Sequence, residues 1–307
     1  MPSRLATGDI PPACADVATG SFPALSVSVC PSEPFPKGNR MTDQDTRVVE
    51  TVAVRRDGSV AIVELDRPEA LNAVNGQMLR ELQRVLSDLT RDNSVRSLVL
   101  ASSGDAFCSG ADVKDPYFED PDPRVQSERV ALGYSVVRLL REVPFPTVCA
   151  VNGVCVAIGL SLAGLCDVRI ASSDARFVLG FARVGIFPDM GGSILLPKLV
   201  GQAKALELVV LDEPIDAARA ESVGLVSEVV APEGLRARAL EVARRLTRRS
   251  GAATRLTRQV LHDVAAMPFA DAVEAEAAAV ARHVRTHDLR EGISAVREGR
   301  HPHFSDR

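Results

Sequence analysis

Twice between residues 95 and 165 an apolar strand gives way to a run of small residues, and this repeated break restricts the folds open to the chain. Val95 to Ala101 leads into Ala106-Phe-Cys-Ser-Gly-Ala-Asp-Val-Lys114, and Thr147 to Val151 leads into Val151-Asn-Gly-Val-Cys-Val-Ala-Ile-Gly-Leu-Ser161. Small residues let a main chain approach a ligand closely, and Gly110 and Ala111 leave main-chain N–H groups uncovered. Two such loops, each at the end of a strand, can give two donors to one carbonyl oxygen, the preorganised stabilisation that usually dominates acyl chemistry. The pairing of the loops, more than either alone, points to an enzyme acting on a thioester.

The flanking sequence supplies the framework. Thr51 to Arg56 and Val60 to Asp66 alternate like a hairpin around Asp57-Gly58, a strong turn signal. Arg67 to Val74 reads as a loop. Met78, Leu79, Leu82, Val85, Leu86 and Leu89 then recur at helical spacing within a helix predicted over Gly76 to Arg91. A second helix is predicted through Arg124 to Glu142, ended by Pro144 and Pro146. Val156–Leu165 reads as a buried helix, and Asp167–Ala171 and Arg176–Leu179 as strands. Alternation of this kind implies an α/β arrangement. From about residue 232 the pattern is helical: Gly234–Arg249, Ala252–Val264, Phe269–Thr286 and Asp288–Arg297.

Residues 1–40 are rich in Pro, Ser and Ala and lack periodicity. A disordered extension over residues 1–44 is expected, with Met41 as an alternative initiator. A targeting peptide fits less well, because Arg4, Lys37 and Arg40 are sparse and no apolar segment precedes a cleavage-like site. The expected division is 1–44 extension, 45–248 catalytic core and 249–307 helical oligomerisation region.

With a formal net charge of −4 and no extended basic run, the chain of 307 residues is not suited to nucleic acid as its main partner. Every long apolar stretch is interrupted by Gly, Ser or Asp, so no membrane span is expected. The six cysteines form no CxxC pair, which suits reduced thiols in a cytoplasmic protein better than a disulfide framework or a metal site. Cys108 reads as a packed small residue rather than a nucleophile.

Four ordered stretches carry a resemblance: Asp66-Arg-Pro-Glu-Ala-Leu-Asn-Ala-Val74, Ala106 to Lys114, Ala150-Val-Asn-Gly153 with Ala163-Gly-Leu-Cys-Asp167, and Gly185-Ile-Phe-Pro-Asp-Met-Gly-Gly192. Thr286 to Gly292, followed by Arg300-His-Pro-His-Phe304, extends it to the C-terminus. Together they resemble the crotonase superfamily, the enoyl-CoA hydratase/isomerase proteins. The resemblance implies a ββα spiral core, a helical C-terminal trimerisation region, and a homotrimer or dimer of trimers. It also implies an acyl-CoA substrate, with coenzyme A entering as part of the thioester and no prosthetic group.

Carried over by position, the oxyanion donors are the N–H groups of Ala111 and Ile158. The family commonly has Gly or Ala where this chain has Ile158, whose side chain is expected to narrow the acyl pocket. Lys114 falls near the CoA nucleotide, although read by itself it is a solvated lysine. Ala70 and Leu71 border the pantetheine and adenine channel. Asp112 falls in the same ligand-binding loop, and a structural role is favoured for it. Asp167 is expected to tether a loop where a strand begins, and Asn72 and Asn152 to fix turns.

Hydratases of this family use two glutamates, and here those positions carry Ser161 and Phe181. Phenylalanine cannot move a proton, and serine is a poor general base without an activating partner. One acid remains, Asp189, at the position of the single catalytic carboxylate in many 3-enoyl-CoA isomerases and in the ring-type isomerases of phenylacetate breakdown. The resemblance therefore implies double-bond isomerisation with Asp189 as acid/base, its pKa raised by burial beside Phe181 and Phe187. The alternatives are an atypical hydratase, a non-catalytic acyl-CoA binder, or Asp189 as a helix N-cap. The segment Asp115–Gln126 is expected to shape a pocket wall, either as a mobile lid or as a plain surface loop.

Overall fold

Asp57 and Gly58 reverse the chain as their sequence requires, Gly58 taking the left-handed conformation at φ 57°. In the computed structural model, which describes residues 47–118, 120–265 and 267–305 (side chains of 47–49 and 117 excepted), this turn joins the first long pair of strands. The expected extension over residues 1–44 lies outside the described residues. Strand β1 (Arg47–Val49) pairs antiparallel with β2 (Val52–Asp57), and β2 with β3 (Val60–Leu65). Helix α1 (Gly76–Arg91) follows, its first turn capped by the Asn75 side chain accepting from the Met78 N–H. Its buried face includes the six apolar residues that the periodicity singles out.

Next come β4 (Ser97–Ser102), α2 (Pro123–Glu142), β5 (Thr147–Val151), β6 (Val154–Val156), α3 (Ile158–Leu165), β7 (Val168–Ser172) and β8 (Arg176–Val178). They lead to α4 (Gly192–Val200), α5 (Gln202–Leu211), β9 (Ile215–Asp216), α6 (Ala217–Ser222), β10 (Glu228–Val230) and α7 (Leu235–Thr247). Helices α8 (Gly251–Val264), α9 (Phe269–His283) and α10 (His287–Glu298) form the helical C-terminal region. One sheet runs β1-β2-β3-β4-β5-β7-β10, parallel from β3 onward, and a smaller one runs β6-β8-β9.

Side chains alternate across a strand, and the large sheet divides accordingly. Ala61, Val63, Leu65, Leu98, Leu100, Cys149 and Val151 join the main core with α1, α3 and the small sheet. Val60, Ile62, Val99, Ala101, Val148, Ala150 and Ile170 face the other way, onto Leu235, Ala239, Leu240 and Ala243 of α7. Both faces are covered, so the inner strands are mostly apolar, with buried Glu64 in β3 and Arg169 in β7 as the charged exceptions.

Two expectations shift. Val156 belongs to strand β6 rather than to the following helix, because β6 pairs with β8 and bridges Cys108 through Cys155. The helix expected over Phe269–Thr286 ends at His283, since the Thr286 hydroxyl accepts from the Leu289 N–H and starts α10. Asp167 does tether a loop: its carboxylate accepts from the Thr147 N–H at 2.8 Å and from the Thr147 hydroxyl at 3.0 Å. The same carboxylate lies 2.8 Å from Nε of Arg258 on α8, whose guanidinium also donates to the Val143 carbonyl. No described helix is long and apolar enough to cross a membrane.

Candidate active site

The loop after β4 is held by side-chain amides. Asn72, at φ 56°, donates to the carbonyls of Ser103 and Ala106, both at 2.8 Å, and accepts from the Arg67 N–H. Asn152 accepts from the Ser102 hydroxyl at 2.7 Å and donates to the Gly104 carbonyl at 2.9 Å. Both asparagines thus fix turns, as their sequence context suggests. Gly153 (φ 53°) permits the crossing, since a Cβ there would lie 1.8 Å from the Asp105 carbonyl oxygen.

From there the loop runs beside β6. Phe107 N–H donates to Asn152, Cys108 N–H to Val154, and Val156 N–H to Cys108, at 2.8–3.1 Å. On its other side Val74 N–H donates to Gly110 and Asp112 N–H to Val74, at 2.8 and 3.0 Å. A parallel bridge of this kind uses the neighbours of Ala111, so the Ala111 N–H points away from Val74.

Ile158 opens the eight-residue helix α3, where the first N–H groups have no partner one turn back and the helix dipole is positive. Among the described residues, neither Ala111 N–H nor Ile158 N–H donates to a protein oxygen. Gly159 makes the close approach possible: a Cβ there would lie 2.7 Å from the Cys108 Cβ and 3.0 Å from its carbonyl oxygen. The position equivalent to a Cβ on Gly110 lies 3.8 Å from the Ala157 Cβ, so the two loops touch. The Ile158 side chain is buried, and Cys108 is a packed residue whose thiol is pushed up to about 12 by burial.

Asp189 stands on the turn before α4, half-buried. Its main-chain carbonyl accepts from the Gly192 N–H at 2.7 Å and from the Ser161 hydroxyl at 3.0 Å. Ser161 lies three residues beyond Ile158, on the same face of α3, so one hydrogen bond separates the Asp189 turn from that helix. The N-cap of α4 is Gly191, with no side-chain cap, so the Asp189 carboxylate does not serve there. Burial raises its pKa, opposed by its own N–H and by the charge of Arg129. Phe181 is fully buried beside this turn, its ring 3.7 Å from a Cβ position on Gly192. Phe187 is 66% exposed rather than buried as expected, in a segment after the 3-10 turn Ala182–Val184 where Val184 and Ile186 are exposed too.

Ala70 and Leu71 belong to a turn whose Leu71 carbonyl accepts from the Ser109 N–H at 3.0 Å, which joins it to the small-residue loop. Leu71 is exposed on that surface. Asp112 pairs with Arg67 at 3.0 Å and accepts from the Lys114 N–H, contacts that hold the loop in place. Lys114 is exposed. Along the expected wall, Asp115 accepts from the Gly76 N–H at the start of α1, and Arg129 stacks over Phe118 at 4.1 Å.

Sequence reasoning missed two features. One is the use of the Ser161 hydroxyl. The other is the notch at Gly133 of α2, where a Cβ would lie 2.8 Å from the sulfur of buried Met190. A glycine inside a helical pattern was the available signal.

The model of the enoyl-CoA hydratase/isomerase family matches residues 55–307. The chain is 33% identical over 263 residues to 1,2-epoxyphenylacetyl-CoA isomerase of Escherichia coli, covering 84% of this chain and 99% of that one. It is 32% identical over 256 residues to crotonyl-CoA hydratase of Syntrophomonas wolfei, covering 83% and 98%. Hydratase names predominate among the relatives. The solved structure of an enoyl-CoA hydratase from Bacillus anthracis superposes with TM-score 0.79 at 27% identity, over 84% of this chain and all of that one. An enoyl-CoA hydratase of Mycobacterium smegmatis gives 0.78 at 30% identity, over 83% and 99%. With its two apposed loops and its sheet of parallel strands, the chain belongs to the enoyl-CoA hydratase/isomerase family of the crotonase superfamily.

Proposed function

We propose that the protein shifts the double bond of an enoyl-CoA, with Asp189 as its acid/base group. The thioester oxygen sits between the N–H groups of Ala111 and Ile158. The Asp189 carboxylate takes a proton from the carbon alpha to the thioester, the two donors stabilise the enolate, and the carboxylic acid returns the proton at the gamma carbon. A positioned base contributes about 10²–10⁴-fold, and one oxyanion donor about 10²–10³-fold. The reaction so written uses no prosthetic group. Coenzyme A is held along Ala70, Leu71 and Asp112, with Lys114 near its phosphates.

One observation carries the choice of isomerisation. At the two positions where hydratases carry glutamates, Phe181 is sealed in the core and the Ser161 hydroxyl is occupied by the Asp189 main chain. Neither can activate water, whereas isomerisation needs a single carboxylate. The E. coli relative named as an isomerase accords with this reading.

The predominance of hydratase names supports a second reading, water addition by rearranged machinery. Assays of 3-enoyl-CoA conversion and of crotonyl-CoA hydration, on wild type and Asp189→Asn, separate the two. Loss of isomerisation with unchanged ligand affinity supports the proposal. Full activity in the mutant overturns it, and hydration as fast as isomerisation favours the hydratase. Binding without turnover of either substrate leaves a non-catalytic acyl-CoA binder.

A homotrimer or dimer of trimers accompanies this proposal. The exposed Phe269, Val273, Val280 and Val284 of the C-terminal region give it an apolar surface.

A further inference from the structure

We propose that Ser161 is a positioning residue for Asp189, its hydroxyl locking the acid/base turn onto the helix that presents the Ile158 N–H. This rests on the reading of Asp189 as the acid/base group.

Ser161 is 1% exposed, in a helix whose other residues are buried as well. A hydroxyl so placed needs a partner. Within a helix the common partner is the carbonyl four residues back, here that of Ala157. That carbonyl takes the Ser161 N–H at 3.0 Å, and the hydroxyl reaches across 28 residues of sequence to the Asp189 carbonyl.

Several contacts guard the bond. A Cβ on Gly192 would lie 3.0 Å from the Ser161 Oγ and 3.1 Å from the Pro188 Cβ, so glycine leaves it undisturbed. The Ser193 N–H holds the Pro188 carbonyl at 3.0 Å. On the far side, Met190, at φ 49°, is seated in the notch that Gly133 leaves on α2. Fixing the Asp189 carbonyl fixes the backbone from which its carboxylate projects. The base and the Ile158 donor therefore keep one spacing across the substrate, and an error of about 1 Å in such a spacing can cost about 100-fold in rate.

The test uses the full chain with 3-hexenoyl-CoA as substrate and compares wild type, Ser161→Ala, Asp189→Asn and the double variant. Ser161→Ala is expected to lose about 10- to 100-fold in kcat with KM changed by less than about threefold. The midpoint of its pH–rate profile should move, and the change should cost nothing further in the Asp189→Asn background. Gly192→Ala, which crowds the hydroxyl from the opposite side, should reproduce the kcat loss and serves as the test if Ser161→Ala does not fold. Wild-type kcat and pH midpoint in Ser161→Ala, beside an inactive Asp189→Asn, overturn the positioning role and leave the Asp189 reading standing. Wild-type turnover in Asp189→Asn overturns that reading, and the positioning role with it.

Discussion

Gly159 and Cys108 are so closely apposed that a methyl group on Gly159 would lie 2.7 Å from the Cys108 Cβ. The contact joins the loop carrying Ala111 to the helix carrying Ile158; the facing atoms are the Cys108 Cβ, its carbonyl oxygen at 3.0 Å and its Sγ at 3.2 Å, and the first two are fixed by the backbone. A flexible side chain can yield; this pair cannot.

Gly159→Ala should therefore separate the two donors. Turnover is expected to fall about 10²–10³-fold, the cost of losing one oxyanion donor. Affinity for a non-reactive CoA ester should change far less, because in the proposed binding mode the nucleotide end lies along Leu71 and Lys114. Steady-state kinetics and calorimetric titration on the same preparation check both parts.

Asp189→Asn should cost about 10²–10⁴-fold in isomerisation and yet make the fold more stable at neutral pH. Burial raises the pKa of this carboxyl above its unfolded value. The favourable contribution of the neutral acid is complete below the unfolded pKa and disappears as pH rises through the folded one. Asparagine never ionises and escapes that loss. Thermal unfolding across the acid-to-neutral range should show the variant gaining on wild type as pH rises.

Arg258→Ala should release α8 from the core. Arg258 is buried, contacts Asp167 at 2.8 Å, and donates to the Val143 carbonyl. Removing one partner of a buried pair costs about 3–5 kcal/mol. Urea unfolding should show a lower midpoint, whereas the kinetics of whatever folded enzyme remains should be close to wild type.

His262 gives the protein an acid-labile group. Burial, then the charges of Arg141 and Arg258, hold its pKa down to about 4, below the unfolded value of 6.5. Between those values the unfolded chain binds more protons, so stability falls as pH drops through the window and levels off below it. His262→Gln should lose less stability between pH 7 and pH 4.5 than wild type does, as measured by urea midpoints.

Local signals were legible in the sequence. Asp57-Gly58 marks its turn, and α1 announces its buried face, because each depends on neighbours within a few residues. Strand β6 did not show, since three apolar residues become a strand only through β8 and the 107–108 segment. Phe187 was misjudged for a related reason: its side chain is apolar, but the path of the chain carries it outward. The two small-residue loops stood out in the sequence itself, whereas the choice of the Ala111 and Ile158 N–H groups, and of Asp189, came from the family resemblance. The bond from Ser161 to Asp189 had no local signature, because its partner is a main-chain carbonyl that any residue could provide.

Helix α7 supplies the second covering layer of the large sheet, reaching strands that precede it by well over a hundred residues; the Ser97 hydroxyl meets the Ala243 carbonyl across 146 positions. A ribosome making this chain from its N-terminus completes β3, β4 and β5 long before their lid exists. For that interval a greasy wall of Ile62, Val99 and Val148 stands open to other nascent chains. Such transient exposure is what makes slow, long-range sheets depend on chaperones.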